Sequence, residues 1–420
     1  MEQPVFQGLN SNYRLKNSWA KSFNNVEPVK IKLNLVSSFR NKKKKRSSSN
    51  QTTGSYAVQK QNSHGYYVPV LKSLQALLCC PSVSKHILTH NVADFGKEEC
   101  MTDVFDGEYF QSDPYLRKNP GALVFALYSD DFEVANPIGH HRKTHKLTSF
   151  YYVLLNIPPY LRTKLEAIQL VAMVKTTDVK KHGLSKILKN FIKSMQKLQN
   201  GVYMATHSPT GASQKTLIRG KLGFVLGDVP AAHLLGGFKE SVGHAHKPCQ
   251  SCEITKEELR NNSVTVPSAP RDEDEHLERC DVLNTEMSQS TRDYWSKMYG
   301  VTRRSELLDV PHFMATKCIL HDPMHILLEG IVPQETKRLL VHCVENRYFT
   351  IEKLNSIIRN FEYTYDERKD KPVEVSWQNV QSNTKFNQTA QSMKNLLVLL
   401  PFLLKHHNGL RHQDPKSEQV

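Results

Sequence analysis

The sequence predicts an α/β protein: a core whose elements run β-β-β-α-β, followed by an all-α region. Three observations carry that expectation. Three apolar runs, Ala122–Tyr128, Lys146–Asn156 and Ala167–Thr176, are rich in β-branched and aromatic residues and bounded by turn residues. Leu184–Leu198 then sets Leu184, Ile187, Leu188, Phe191, Ile192, Met195 and Leu198 at helical spacing with lysines opposite, before a fourth run, Thr216–Leu226. From Ser305 to His407 the periodicity is helical alone.

With 420 residues the chain has room for two or three domains, and 39% apolar with 23% charged residues is the composition of a globular protein. The formal net charge of +15 gathers at one end: residues 1–60 hold twelve Lys or Arg against two acids, Glu2 and Glu27. That arm is the part suited to polyanions. Eight cysteines over this length are too sparse for a disulfide scaffold and indicate a reducing, intracellular setting. Met1–Asn10 lacks the basic and apolar regions of a secretory signal. The longest apolar run, Leu396–Leu404, is interrupted by Pro401 and is too short to cross a bilayer, so no membrane partner is expected.

In chain order, residues 1–63 are polar and Asn/Ser/Lys-rich, which predicts a disordered basic arm. Within it Arg40–Arg46 reads as a nuclear-localisation or nucleic-acid patch, or as a solvated basic linker. Residues 64–119 form a helical and loop region, with a helix over Tyr66–Leu88 that ends near Pro81 and an acidic, aromatic loop over Phe95–Pro120. The core occupies 120–255. Residues 256–304, with the run Arg271–Glu275, read as a polar linker or excursion. The helical domain spans 305–407 (helices over Pro323–Val332, Glu335–Asn346, Ile351–Tyr363 and Thr389–His407), and 408–420 is a polar tail.

The chemistry starts from two acids at strand ends. A helix between the third and fourth strands lets the fourth pair parallel to the first, which would bring Asp130 and Asp228 together at one sheet edge, although the strand order permits other pairings. Two carboxylates so placed suit Mg²⁺ or Mn²⁺ and, with it, phosphodiester chemistry. The alternative is that both are turn residues, a position Asp favours anyway, and Asp131 or Glu133 can stand in for Asp130. Cys249-Gln-Ser-Cys252 supplies two of the four soft ligands a tetrahedral Zn²⁺ takes, with redox use as the competing reading. His244 and His246 read as surface residues. His321-Asp-Pro-Met-His325 with Glu329 imitates a two-histidine zinc hydrolase site. Asp322 as cap and Pro323 as first helical residue set His321 ahead of the helix instead.

Five stretches, in this order, resemble the CACTA-type (En/Spm-like) DNA transposases. They are Tyr128-Ser-Asp-Asp-Phe-Glu-Val-Ala-Asn-Pro-Ile-Gly139, His145-Lys-Leu-Thr-Ser-Phe-Tyr-Tyr152, Gly227-Asp-Val-Pro-Ala231, Gly237–Cys252 and Leu320-His-Asp-Pro-Met-His-Ile-Leu-Leu-Glu-Gly330. The family is similar to the catalytic subunit of the V(D)J recombinase. The resemblance implies an RNase H-like core interrupted by an all-α insertion, with a DDE triad that cuts and joins DNA by two-metal-ion hydrolysis and transesterification. It makes Asp130 the first catalytic carboxylate, Asp228 the second, and Cys249 and Cys252 the cysteine half of a zinc site. It further implies DNA partners (transposon ends and target), a homo-oligomer and a nuclear location.

The chain also departs from the family. The family pattern continues with a histidine pair for zinc and a stretch carrying the third acid, and neither occurs here. His406, His407 and His412 have the wrong context, and Glu329 belongs to the Met-His helix. The expectation is a truncated or fragmentary transposase with an incomplete triad. The alternatives are a catalytically inactive, domesticated or decayed nucleic-acid or protein-binding module, and a zinc hydrolase using His321 and His325.

Overall fold

The computed structural model describes residues 26–40, 57–96, 100–134, 146–207, 213–261, 268–365 and 367–405. They fall into two compact units, dividing at Leu320/His321. The first is a mixed α/β unit. Its strands are β1 (Val29–Arg40), β2 (Ala57–Tyr67), β3 (Leu123–Glu133), β4 (Lys146–Leu154), β5 (Gln169–Lys175), β6 (Val202–His207), β7 (Ser213–Ile218) and β8 (Gly220–Gly227). Six form one sheet in the order β1-β2-β5-β4-β3-β8, and β6 and β7 pair separately. Within the large sheet β3, β4 and β5 make an antiparallel meander, and β8 runs parallel to β3.

The unbroken apolar run of β3 has a physical cause. Leu123, Phe125 and Leu127 face the main core, whereas Val124 and Ala126 face a second cluster around Phe105, Phe110 and Leu116. A strand covered on both sides loses its hydrophobic alternation. The unit's longer helices are α1 (Val70–Leu78), α2 (Pro81–Ile87), α3 (Thr176–His182), α4 (Ser185–Asn200), α5 (Val229–Gly236), α6 (Glu273–Asn284) and α7 (Gln289–Tyr299). On α4, Ile187, Leu188, Phe191, Ile192, Met195 and Leu198 are buried while Lys186, Lys189, Lys193 and Lys197 are exposed. The helix stops at Gly201, whose φ of 98° ends it.

Several expectations need correction. The N-terminal arm read as disordered contributes β1 and β2 to the sheet, and Leu33 is fully buried. Val29-Lys-Ile-Lys-Leu33 alternates with the period of a strand, and that local signal outweighs the polar composition around it. Residues 41–46 of the basic run and the tail lie outside the described residues. The helix expected to end near Pro81 does end there, at Leu78, but Pro81 opens a second helix over the rest of Tyr66–Leu88. Thr216–Leu226 is likewise two strands, the end of β7 and most of β8.

The presumed linker at 256–304 holds α6 and α7, and Cys280, Leu283 and Val301 belong to the main core. The inward face of α6 also carries His276 and Arg279, so its hydropathy hides the helical period. Residues 305–320 add Leu307, Val310, Phe313, Ala315 and Ile319 to the same core, so the all-α unit starts at His321 rather than at 305.

That second unit opens with a π-helix, Met324–Ile331, running into α8 (Val332–Glu345). The Val332 amide reaches back to the Leu327 carbonyl, and the wide turn ends where Pro333 has no N–H to give. With α9 (Ile351–Asn360) and α10 (Ala390–Lys405) it encloses Leu340, Leu354, Ile358, Phe386, Met393 and Leu396. No helix among the described residues is long and apolar enough to cross a membrane.

Candidate functional site

The parallel ladder between β3 and β8 pairs Leu123 with Gly220 and ends at Ser129 with Gly227. The next residue of each segment is an aspartate, Asp130 within β3 and Asp228 just after β8. Neighbouring strands lie about 4.8 Å apart, and laterally paired residues share a face. The register contains one irregularity: Phe125 pairs with Leu222, but Ala126 pairs with Phe224. Gly223 is the extra residue, a β-bulge packed so tightly that a Cβ there would lie 2.5 Å from Val124 Cγ1. The bulge aligns Asp130, rather than Asp131, with Asp228.

Both aspartates sit in defined local structure. β3 continues to Glu133, so Asp130 marks the end of the parallel ladder and not, as the sequence suggests, the end of the strand. Asp130 is exposed, and its Oδ1 accepts the Asp131 amide at 2.7 Å. Asp131 points to the opposite face, where it accepts the Thr148 hydroxyl at 2.6 Å, and Thr148 Oγ1 lies 3.0 Å from the Thr176 hydroxyl. Asp228 is half-buried and caps α5, with Oδ1 accepting the Ala231 amide at 2.8 Å. Gly227 permits this tight strand-to-helix passage, since a Cβ would lie 3.1 Å from both Ala231 Cβ and the Ser129 carbonyl oxygen. Capping is a structural task, so Asp228 has a role in the fold whatever else it does.

The Cys249–Cys252 loop has the form of a knuckle. The Ser251 amide donates to Cys249 Sγ at 3.3 Å, and the Ile254 amide donates to Cys252, each two residues on. The two thiols are in hydrogen-bond contact. Burial pushes the Cys252 thiol up; the Ile254 amide and the Arg271 guanidinium act the other way. The knuckle is pinned from outside: Gln250 donates to the Ile319 carbonyl at 3.0 Å, and Arg271 donates to the carbonyls of Cys249, Lys247 and Tyr299 at 2.7, 3.0 and 3.1 Å. Glu253 completes the cluster by pairing with Arg279 and Lys247. Burial alone would raise its carboxyl; the hydrogen bonds from Arg279 and Lys247 and the charge of Arg271 overcome that and hold it at about 2.

Two sulfurs in a preformed knuckle suit half of a tetrahedral zinc site. Among the described residues no group of three or more His, Cys, Asp or Glu side chains could hold a metal ion. That applies to the cysteine pair and to Asp130 with Asp228, so the described residues complete neither ligand set. His246 is engaged with Glu257 at 3.2 Å, and His244 is exposed. His276 and Cys280 touch each other at 3.7 Å within α6. Burial pushes the Cys280 thiol up to about 12, the state of a structural thiol rather than a ligand.

In the second unit His321 precedes the π-helix. His325 Nδ1 pairs with the Asp322 carboxylate, which also accepts the Met324 amide at 2.8 Å. Glu329 pairs with Lys385 at 3.0 Å. In the sequence Arg271 opens a run of acids and reads as one more solvated charge; nothing local marks it as buried. No protein-family model and no curated protein matches this chain.

Proposed function

We propose that this chain is a transposase-derived DNA-binding protein of the CACTA (En/Spm-like) type, with an RNase H-like core and a helical insertion beginning at His321. The observation that carries the reading is the parallel register of β3 and β8, which aligns Asp130 with Asp228. The meander of β3, β4 and β5, with α4 leading back toward β8, supports the core assignment. Mg²⁺ or Mn²⁺ at the two carboxylates would supply Lewis-acid activation of a water or 3′-hydroxyl and stabilisation of the leaving oxygen. The chain's own part is to hold Asp130 and Asp228 at one edge and to bind DNA through its backbone. Lys186, Lys189, Lys193 and Lys197 form an exposed stripe on a helix that carries no acid. Cys249 and Cys252 would supply the sulfur half of a structural Zn²⁺ site. Transposon ends and target DNA are the partners, a homo-oligomer the working form and the nucleus the location.

A second reading, a catalytically silent nucleic-acid or protein-binding module, is favoured by one observation: Asp228 caps α5, and no third acid joins the pair among the described residues. Nicking of supercoiled DNA in Mg²⁺ or Mn²⁺ decides between them. Activity lost in D130A and D228A supports the enzyme. DNA binding with equal silence in wild type and mutants supports the module. The zinc-hydrolase reading is weaker, since His325 and Glu329 are each tied to another side chain.

A further inference from the structure

Arg271 is 3% exposed, and its guanidinium lies 5.7 Å from the Phe238 ring. A charge buried this deeply needs acceptors. It finds them in three backbone carbonyls, those of Lys247 and Cys249 in the knuckle and that of Tyr299 at the end of α7. Its own amide bonds to the Ser251 carbonyl at 2.9 Å, and Cys252 bridges to Pro270 beside it. Nη1 is buried without a hydrogen bond among the described residues and lies 3.6 Å from Glu253 Oε1. The knuckle carbonyl is also seated against Gly300, whose φ is 70° and where a Cβ would come within 2.0 Å of the Lys247 oxygen. The Arg271 side chain, its amide and the bridge to Pro270 therefore hold Lys247, Cys249, Ser251 and Cys252, the stretch that contains the two sulfurs.

We propose that Arg271 is the positioning residue of this knuckle: its guanidinium fork fixes the Lys247–Cys249 backbone, so that both sulfurs face one point suited to a soft divalent cation. The inference rests on the reading of the pair as a zinc half-site. A fork of fixed N–H donors can hold several carbonyls at once; an ammonium on a flexible stem cannot reproduce that geometry. The guanidinium also offsets the negative charge that two thiolates bring, which favours an ion accepting two anionic sulfurs over a hard cation seeking oxygen.

The test is Co²⁺ titration of the full chain, read by sulfur-to-cobalt charge-transfer absorption, with amide exchange at Ser251 and Ile254 followed in the metal-free protein. R271K is expected to weaken Co²⁺ binding by about ten- to a hundredfold, the usual effect of losing a residue that orients ligands. The two knuckle amides, which wild type protects through their N–H···S bonds, should exchange at least about tenfold faster. E253Q, which spares the carbonyl fork, should change Co²⁺ affinity by no more than about fivefold. Equal affinity and exchange in R271K and wild type overturn the proposal, as does an E253Q loss as large as that of R271K. Global unfolding of R271K overturns it too, because Arg271 would then hold the whole domain. A wild-type chain that binds no Co²⁺ refutes the zinc reading alone, and the exchange of the two amides still decides the role of Arg271.

Discussion

Asp130 and Asp228 share a register because Gly223 adds one residue to β8 between Leu222 and Phe224. Were Gly223 paired in the regular ladder instead of bulged out of it, Asp228 would align with Asp131, whose side chain belongs to the other face, beside Thr148 and Thr176. A one-residue slip moves a strand's side chains from one face to the other. The choice between two adjacent aspartates is thus made by a glycine about five residues before the second carboxylate.

Gly223→Val should therefore both destabilise the first unit and disturb the carboxylate pair. Its Cβ would meet Val124 Cγ1 at 2.5 Å, and Val124 is a fully buried, branched neighbour. The expected loss is about 1–3 kcal/mol, typical of an overpacked core, read by urea denaturation. Unchanged stability would mean that the bulge is not confined as described.

Asp130→Asn and Asp131→Asn should behave differently although the residues are neighbours. Asp131→Asn weakens the bond from Thr148, an effect of about 1 kcal/mol on stability, and leaves metal-dependent nicking in place. Asp130→Asn should leave stability close to wild type and remove nicking. Equal loss of activity in both would place the metal-binding face on the wrong side of β3.

Lys221 and Asp113 form an ion pair buried on both sides, 0% and 8% exposed at the side chain. Removing one partner strands the other charge, so Lys221→Met should cost about 3–5 kcal/mol. Asp113 also caps the helix at Pro114–Lys118 through the Leu116 amide, so the double variant with Asp113→Asn should recover part of that loss. Thermal unfolding of the two variants checks it; a double variant no better than the single one would remove the ion pair as the cause.

Stability should fall with acid in a window set by His276. Burial pushes its pKa down from 6.5 to about 4, so the native state keeps it neutral while the unfolded chain is protonated sooner. The unfolded state binds more protons between these values, and stability therefore drops as pH falls from about 6.5 toward 4. The ceiling is about 3 kcal/mol at 1.36 kcal/mol per pKa unit. Glu253, held at about 2, extends the loss below pH 4.5. Urea midpoints at pH 8 and pH 5 should separate in wild type and converge in His276→Phe; a slope kept by the variant assigns the effect elsewhere.

Replacing Lys189, Lys193 and Lys197 by Gln should reduce the slope of log K for DNA against log salt by up to about 0.9 per lysine that touches a phosphate. Binding should weaken for every sequence alike, because such contacts carry no base readout. Filter binding from 50 to 200 mM salt measures it. An unchanged slope would take α4 out of the DNA-binding surface.

Much of the first unit was legible in the chain. The apolar runs of β3, β4 and β5, the period of α4 and a fourth run ending at Asp228 define a meander with a parallel return, because hydrophobic period and connection rules are local or nearly so. What escaped was coded by something other than local hydropathy. The inward face of α6 carries His276 and Arg279, whose burial depends on Glu253 and Phe238 brought from elsewhere in the chain, with Glu275 one turn back on the same helix. Conversely, β1 has a plain alternation, but the composition around it is that of a soft tail.

By itself the sequence marked the candidate residues: two acids after β-type runs, a CxxC, and His321 and His325 around the start of a helix. Tertiary structure alone decided how they are used. Side-chain identity fixes what a group can bind, but register, face and burial arise only when distant segments pack. Gly223 aligns Asp130 with Asp228, and a remote arginine sets the shape of the cysteine knuckle. Neither relation has a signature along the chain, since each depends on a backbone approach between segments far apart in sequence.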